Sequence, residues 1–257
     1  MCLAVLFAFT IKNRQYLFHK IILSMHKMNA EIKTTYPLNF PHAAKVGGTS
    51  IRKSLIDNYK TFFDYDHPPG SVRKYYIDQC NRRNHDFQDL NFSKFDVIFG
   101  HFPIDRYNDN YPKIALLREP IERMVSFYNY WKYLLPETNT IALAKNPIIT
   151  DVKSGRMDIV ELAVKLRICN FYENYFRRLP PEDFAIRGFN DDLELFYANL
   201  KQKFNININA DYHERKNPQK DILKQSDRER LILEFSDDIN WYKQMKAYSR
   251  SFDKLVG

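Results

Sequence analysis

The stretch that most constrains the fold is Lys45-Val-Gly-Gly-Thr-Ser50, which lies between an extended run and an amphipathic helix pattern. The extended run covers residues 36–40 and leads into this stretch. The helix pattern that follows places apolar residues three and four positions apart, at Ile51, Leu55, Ile56 and Tyr59. An extended segment, a tight turn and a helix in this order predict one strand–loop–helix unit of an α/β domain.

The loop in this unit has the composition of a phosphate-binding site. Gly47 and Gly48 allow the backbone to turn tightly and to approach a ligand closely. Thr49 and Ser50 bring hydroxyl groups to the start of a helix, where unpaired N–H groups and the helix dipole favour an anion. Lys45 adds a positive charge. The stretch is not a Walker A loop, in which the lysine follows the second glycine. The alternative interpretation is a Gly-Gly turn with a Thr or Ser helix cap.

A second stretch has the same strand, loop and helix order. Lys113–Leu117 is an apolar run typical of a buried strand, and it stops at Arg118. Pro120 suits the first turn of a helix, and Ser126 lies further along that helix. We expect Lys45, Arg118 and Ser126 to face one crevice at the carboxyl edge of a sheet, where open α/β folds bind their ligands.

The two stretches together resemble the sulfotransferases that use PAPS (3′-phosphoadenosine 5′-phosphosulfate). The likeness is to the carbohydrate-modifying branch, which includes heparan sulfate 2-O-sulfotransferase-like enzymes and their bacterial relatives. The 5′-phosphosulfate loop of that family has the form Lys-x-Gly-Gly-Thr-Ser. Its 3′-phosphate motif has the form Arg-[Asp/Glu]-Pro-x-x-Arg-x-x-Ser-x-Tyr, which residues 118–128 match in full. A fainter likeness runs through residues 36–255 and includes Asn170-Phe-Tyr172.

This resemblance implies a fold, a cofactor and a reaction. The fold would be P-loop-NTPase-like, with three layers and a parallel sheet of about four or five strands flanked by helices. The reaction would transfer a sulfuryl group from PAPS to a hydroxyl group of a carbohydrate, and no metal is required. The implied cofactor-binding residues are Lys45, Gly47, Gly48, Thr49, Ser50, Arg118 and Ser126. Lys45 would also stabilise the oxygen of the leaving phosphate.

His101 is the candidate general base. Residues 95–99 form a predicted strand, and Gly100-His101 follows at its carboxyl end. Without the family likeness, a strand-end histidine bonded to the backbone is the simpler interpretation; the likeness favours a base that removes the proton of the attacking hydroxyl group. His42 lies three residues before Lys45 and is the competing candidate.

Two other functions are compatible with a phosphate-binding loop. One is a nucleotide kinase-like protein, although the loop lacks the Walker A pattern and the Arg-Glu-Pro motif has no role there. The other is a catalytically silent relative that binds PAP or another polyanion. Pro37 and Pro41 support the silent relative, because proline inside a strand is costly unless the strand lies at an edge.

Composition and chain length bound the organisation of the protein. A chain of 257 residues is long enough for one sizeable α/β domain. Its formal net charge is 39 − 31 = +8, which suits an anionic partner such as PAPS or an acidic polysaccharide; the resemblance implies a glycan acceptor and no nucleic acid. Three cysteines without metal spacing give no disulfide framework and no zinc site.

Residues 1–33 are predicted to be an appended segment and residues 34–257 the sulfotransferase domain. The two apolar runs before residue 26 are each shorter than the roughly 20 residues of a membrane-spanning helix. We expect this segment to form a helix pair that touches a membrane. Eukaryotic members of the family that this chain resembles are typically anchored in the Golgi membrane, whereas a bacterial relative would be cytoplasmic or membrane-associated.

The remaining local predictions follow from apolar spacing and turn residues. Helices are predicted at residues 121–135, 156–179 and 192–204, and two closing helices at 226–253. Loops with a short helix are predicted at residues 60–94, and a polar loop at 136–155.

Overall fold

The computed structural model describes residues 36–65, 91–134, 147–209 and 221–256, which form a five-stranded parallel sheet flanked by helices. The strands are β1 (Leu38–Pro41), β2 (Thr61–Tyr65), β3 (Val97–His101), β4 (Lys113–Leu117) and β5 (Phe184–Phe189). The prediction of an α/β fold with a parallel sheet of about four or five strands is confirmed.

In the described part of the chain, one α-helix follows β1, four follow β4 and three follow β5. They are α1 (Gly48–Asn58), α2 (Pro120–Asn129), α3 (Pro147–Lys153), α4 (Ile159–Lys165), α5 (Phe171–Phe176), α6 (Leu193–Phe204), α7 (Gln225–Glu234) and α8 (Ser236–Val256). A π-helical turn, Tyr130–Leu134, continues α2. Short 3₁₀ turns lie at Phe92–Lys94, Ile104–Arg106, Ile168–Asn170 and Pro181–Asp183. The predicted helices at 121–135 and 192–204, and the two closing helices, are thereby confirmed in outline.

The order of the strands in the sheet creates a topological switch point between β1 and β4, where a ligand crevice is expected. The order is β2-β3-β1-β4-β5. The chain leaves β1 toward one edge of the sheet, where β2 lies, and leaves β4 toward the other edge, where β5 lies. Adjacent parallel strands whose connections diverge form a topological switch point, and ligands of open α/β sheets bind outside their carboxyl ends. Both predicted phosphate-binding stretches follow these two strands.

Strand β1 forms at the centre of the sheet although it ends in Pro41. Leu38 and His42 donate their N–H groups on the β3 side, whereas Asn39 donates on the β4 side. Because N–H groups alternate along a strand, the N–H that Pro41 lacks belongs to the β4 side. The pairing agrees, since β1 meets β3 at every strand residue but meets β4 only at Asn39↔Lys113. The expectation that these prolines disturb the first strand is therefore wrong, since β1 forms with Pro41 as its last residue.

Apolar side chains cover both faces of the sheet. Neighbouring residues of a strand point to opposite faces. Phe62 and Ile98 accordingly join a cluster with Phe102, while Phe63 and Phe99 join the largest core cluster of the protein. A parallel sheet that is covered on both faces leaves its strand ends as the place for a ligand.

One local prediction is wrong and one strand is missed, and both matter for the sheet. Residues 60–94 are predicted as loops with a short helix, but Thr61–Tyr65 forms β2, which pairs along its whole length with β3. Strand β5 is not predicted from the sequence pattern, and it pairs with β4. The hydrogen bonds that define both strands come from sequence-distant partners, so local spacing signals them weakly.

Further differences concern the helices. The polar loop at 136–155 contains α3 in its described part. The helix at 156–179 is broken, because Arg167 adopts a left-handed conformation with φ of 51° between α4 and α5. In α1, Ile51 and Leu55 are buried as expected, but Ile56 is exposed. Strand β3 starts two residues later than predicted and contains His101 as its last residue.

Residues 1–33 lie outside the described residues, so their division from the domain and their association with a membrane remain predictions. In the ranges that the structure describes, none of the helices is both long and apolar enough to cross a membrane.

Candidate functional site

The loop after β1 is built from residues with unusual backbone conformations. Lys45 and Gly47 are left-handed, with φ of 71° and 106°. Helix α1 begins at Gly48, and its N-cap residue is Gly47, which has no side chain with which to cap the helix. The alternative prediction of a Thr or Ser cap is therefore wrong: Thr49 and Ser50 lie inside the first helical turn. The start of this helix presents its backbone with only a glycine in front of it.

His42 fills the space beneath this helix start. A Cβ atom added to Gly48 would lie 1.8 Å from Nε2 of His42, so only glycine fits at that position. The imidazole stacks between the rings of Phe99 and His101, with centroid separations of 5.1 Å to each. Burial, followed by the nearby charges of His101 and Arg52, lowers the pKa of His42 well below its usual value. His42 therefore packs as a neutral ring against the sheet.

His101 is held by the backbone of the same loop. Its Nδ1 lies 2.6 Å from the carbonyl oxygen of His42 and 3.3 Å from the hydroxyl oxygen of Tyr175. A carbonyl oxygen only accepts hydrogen bonds, so Nδ1 carries the proton of the neutral ring. The lone pair is then on Nε2. His101 can thus be bonded to the backbone through Nδ1 and still act as a general base through Nε2.

Arg118 lies directly after β4 and reaches the loop after β1. Its guanidinium donates a hydrogen bond from Nη1 to the carbonyl oxygen of Lys45, at 3.4 Å. Partial burial lowers the pKa of Arg118, while the nearby carboxylate of Glu122 acts in the opposite direction. The structure therefore brings Lys45 and Arg118 together at the carboxyl edge of the sheet, as their positions after β1 and β4 predict.

The ammonium group of Lys45 lies over an aromatic ring. Its Nζ is 4.2 Å from the centroid of the Tyr130 ring, a distance typical of a cation–π contact. Tyr130 is the first residue of the π-helical turn after α2, and such turns are frequent at functional sites. The change from α to π helix alters the direction of the residues that follow Asn129. The sequence gives no signal for Tyr130, since aromatic residues occur throughout α2.

Asn190 fastens the loop after β1 to the end of β5. Its side-chain amide donates to the carbonyl oxygen of Val46 at 2.8 Å. A Cβ atom on Gly47 would approach the same amide nitrogen to 3.0 Å. A side chain at Gly47 would therefore meet both a strained φ and a close neighbour. Asn190 lies directly after β5. The sequence pattern predicts neither this strand nor a role for Asn190.

The residues of the 118–128 motif divide between the crevice and the core. Ser126 is half-buried on α2, and in the described part of the chain no hydrogen bond joins its side chain to Lys45 or Arg118. Arg123 is fully buried, and its guanidinium lies 3.6 Å from the centroid of the Phe171 ring. Tyr128 is buried and donates its hydroxyl proton to the carbonyl oxygen of Met157 at 3.0 Å. Arg123 and Tyr128 of this motif therefore stabilise the fold and do not face the site.

The chemistry of this edge of the sheet suits an anion. A helix start behind Gly47, the ammonium of Lys45 and the guanidinium of Arg118 are donors that bind phosphate oxygens. Among the residues that the structure describes, no group of three or more His, Cys, Asp or Glu side chains is arranged to hold a metal ion.

Comparison with known proteins gives one match. Residues 28–152 match the family model described as "Sulfotransferase family". The matched range contains β1 to β4, Lys45, His101, Arg118 and Ser126, whereas β5 and helices α4 to α8 lie beyond it. No curated protein and no solved structure matches the chain significantly.

Proposed function

We propose that this chain transfers a sulfuryl group from PAPS to a hydroxyl group of a carbohydrate, because residues 28–152 match the sulfotransferase family model. The observation that carries the proposal is the contact of Arg118 with the carbonyl group of Lys45. It joins the stretch that resembles a 5′-phosphosulfate loop to the residue that resembles a 3′-phosphate ligand.

The donors around the crevice fit PAPS. Gly47, Gly48, Thr49 and Ser50 would hold the 5′-phosphosulfate through backbone N–H groups and hydroxyls at the start of α1. Arg118 would bind the 3′-phosphate through paired, charge-assisted hydrogen bonds, with Ser126 from α2 as a second donor. When bound, PAPS supplies the sulfuryl group on an activated phosphosulfate bond.

Lys45 and His101 would perform the chemical roles. The ammonium of Lys45 would neutralise negative charge that develops on the leaving phosphate oxygen. His101 would accept the proton of the acceptor hydroxyl group at Nε2 while Nδ1 keeps its bond to the carbonyl group of His42. Holding both groups at one edge of the sheet supports the in-line geometry that sulfuryl transfer requires.

The carbohydrate acceptor is the finer part of the proposal. It is supported by the resemblance of the two motifs to carbohydrate-modifying sulfotransferases and by the formal net charge of +8. A basic protein attracts acidic polysaccharides and raises their local concentration.

The two alternative functions receive less support. A silent relative was favoured by prolines that should disrupt β1, but β1 forms and is paired on both sides. A nucleotide kinase would require a Walker A loop, and the left-handed Lys45 precedes both glycines.

The proposal is tested by incubating the purified full-length chain with sulfur-35-labelled PAPS and a panel of acceptors. The panel contains acidic polysaccharides, neutral polysaccharides, a tyrosine-containing peptide and a small phenol. Binding of PAP and of ATP is measured by calorimetry on the same preparation. We expect PAP to bind more tightly than ATP and label to appear in a polysaccharide.

Each other outcome identifies the part of the proposal that is wrong. Label in the peptide or the phenol alone would replace the carbohydrate with another acceptor class. PAP binding without transfer to any acceptor would favour the silent relative, and a preference for ATP would favour the kinase.

A further inference from the structure

We propose that Tyr172 is a positioning residue that holds Arg118 in the orientation needed to bind the 3′-phosphate of PAPS, an inference that rests on the proposed function. The hydroxyl group of Tyr172 binds both backbone groups of Arg118. The N–H of Arg118 donates to the Tyr172 hydroxyl oxygen at 2.9 Å. The same hydroxyl group donates its proton to the carbonyl oxygen of Arg118.

The backbone of Arg118 needs such a partner because of its place in the chain. It lies after the last residue of β4, Leu117, and before Pro120, the first residue of α2. Its N–H and carbonyl groups therefore belong to neither a strand nor a helix. A buried backbone group without a partner costs free energy comparable to a lost hydrogen bond. The hydroxyl group of Tyr172 satisfies both groups and so fixes the peptide from which the guanidinium extends.

Tyr172 is suited to this double role by its surroundings. Its side chain is fully buried, against Phe176 and Trp241. Burial raises the pKa of Tyr172, so the hydroxyl group keeps the proton that it donates to the carbonyl oxygen. Because the ring is packed on several sides, the hydroxyl group has little freedom to leave Arg118.

The C-terminal helix anchors Tyr172 in turn. Its backbone N–H donates to Oδ2 of Asp238 at 2.9 Å, and Asp238 is a fully buried residue of α8. Arg123, one turn into α2, lies against the ring of Phe171, which precedes Tyr172. A continuous set of contacts therefore runs from α8 through the start of α5 to the turn after β4.

Tyr172 and Asp238 lie beyond the range that matches the family model, which ends at residue 152. The candidate ligand Arg118 lies inside that range. The C-terminal part of the chain thus completes a site whose predicted ligands all come from the N-terminal part. A truncation or substitution there would act on 3′-phosphate binding from a distance.

The test compares two ligands that differ only in the 3′-phosphate, PAP and AMP, on the full-length chain. Tyr172→Phe removes the hydroxyl group and keeps the ring. Tyr59→Phe is a matched control, because the hydroxyl group of Tyr59 also binds both backbone groups of one residue, Asn207, at 2.5 and 3.5 Å. Tyr59 follows the end of α1 that is remote from the loop at Gly48.

For Tyr172→Phe we expect the affinity for PAP to fall by about tenfold or more while the affinity for AMP changes by less than about twofold. Tyr59→Phe should leave the ratio of the two affinities unchanged. A purely structural role for Tyr172 would weaken both ligands together, so an unchanged ratio in folded Tyr172→Phe overturns the inference. If the wild-type chain itself does not prefer PAP to AMP, the proposed function fails instead.

A second measurement keeps the inference testable if Tyr172→Phe does not fold. Amide hydrogen exchange is followed at Arg118 in the wild-type chain, alone and with saturating PAP or AMP. Because coupling between two sites is reciprocal, a bond that favours 3′-phosphate binding must itself be favoured by it. PAP should slow exchange at Arg118 more than AMP does; equal slowing by both ligands would contradict the proposal.

Discussion

The loop after β1 and the turn after β4 lie side by side at the carboxyl edge of the sheet, and they are built in opposite ways. In the loop after β1, Lys45 and Gly47 are left-handed, and the helix that follows has a glycine as its N-cap residue. In the turn after β4, the carboxylate of Glu119 caps the helix by accepting from the N–H of Glu122 at 2.8 Å, and Pro120 occupies the first helical position.

This difference indicates what each segment offers to a ligand. Side chains satisfy the backbone of the turn after β4, through Glu119 and Tyr172, so what it presents is the guanidinium of Arg118. The loop after β1 has no side chains at Gly47 and Gly48, so what it presents is the backbone of a helix start. Under the proposed function, one segment would bind an anion through its backbone and the other through a side chain.

The largest expected effect tests whether proton transfer depends on His101, at the end of β3, and not on His42, in the loop after β1. If His101 is the base, His101→Ala should lower turnover by roughly a hundredfold to ten-thousandfold. Binding of PAP should survive, because the imidazole is expected to act on the acceptor and not on the phosphates. Turnover at saturating PAPS is compared with that of His42→Ala.

The two histidine variants distinguish the general base from the histidine that only packs against the sheet. Near-normal turnover in His101→Ala together with loss in His42→Ala would show that the base is assigned to the wrong ring. If neither variant loses turnover, the base lies elsewhere in the chain.

A smaller effect is expected from adding one methyl group to the loop after β1. In Gly48→Ala the new Cβ would meet the His42 ring at 1.8 Å, and overpacking of this kind costs about 1–3 kcal/mol of unfolding free energy. Urea unfolding measures the loss, with Thr49→Ala, an exposed neighbour in the same turn, as the control. The turn after β4 shows no such restriction, since it places Pro120 at the equivalent helical position.

The cause of that loss can be identified by a double variant. Removing the ring in Gly48→Ala/His42→Ala should return part of the lost free energy, because the two changes share one contact. Strictly additive losses would show that the clash with His42 is not the reason that position 48 requires glycine.

The smallest expected effect concerns the dependence of stability on pH. The pKa of His42 is lowered by burial, so the unfolded chain takes up a proton near pH 6.5 before the folded chain does. The contribution of His42 is therefore complete above about pH 6.5, and stability is lost as the pH falls below that value, by at most about 1.4 kcal/mol per pH unit. His42→Leu should flatten the profile of unfolding free energy between about pH 5 and 6.5. A profile parallel to that of the wild type would place the titration on another group.

The sequence predicts those parts of the site that local pattern encodes. The apolar run at Lys113–Leu117 ends sharply at Arg118, so both the strand and the position of the arginine at its carboxyl end could be predicted. The glycine pair and Lys45 likewise mark the loop after β1. Because carboxyl ends of parallel strands meet at one edge, these two local predictions together predict the crevice.

Contacts between sequence-distant residues could not be predicted. Tyr172 binds Arg118 across 54 positions, and no spacing pattern records such a pair. Strand β1 can lie at the centre of the sheet because the N–H that Pro41 lacks belongs to the β4 side, where β1 pairs only at Asn39. A local sequence pattern does not show which strand lies on that side. Strand β5, which carries Arg187 between buried residues, lacks the continuous apolar run of β4.

The central claim is that the loop after β1 and the turn after β4 bind different phosphate groups of one ligand. Its most direct test is calorimetric binding of PAP and of adenosine 5′-phosphosulfate to the wild type and to Arg118→Ala. Only PAP carries the 3′-phosphate, and losing two charge-assisted hydrogen bonds should weaken it by roughly a hundredfold. Adenosine 5′-phosphosulfate should bind both proteins with affinities within about twofold of each other. An equal loss of affinity for both ligands would contradict the claim and make Arg118 part of the structure of the crevice instead.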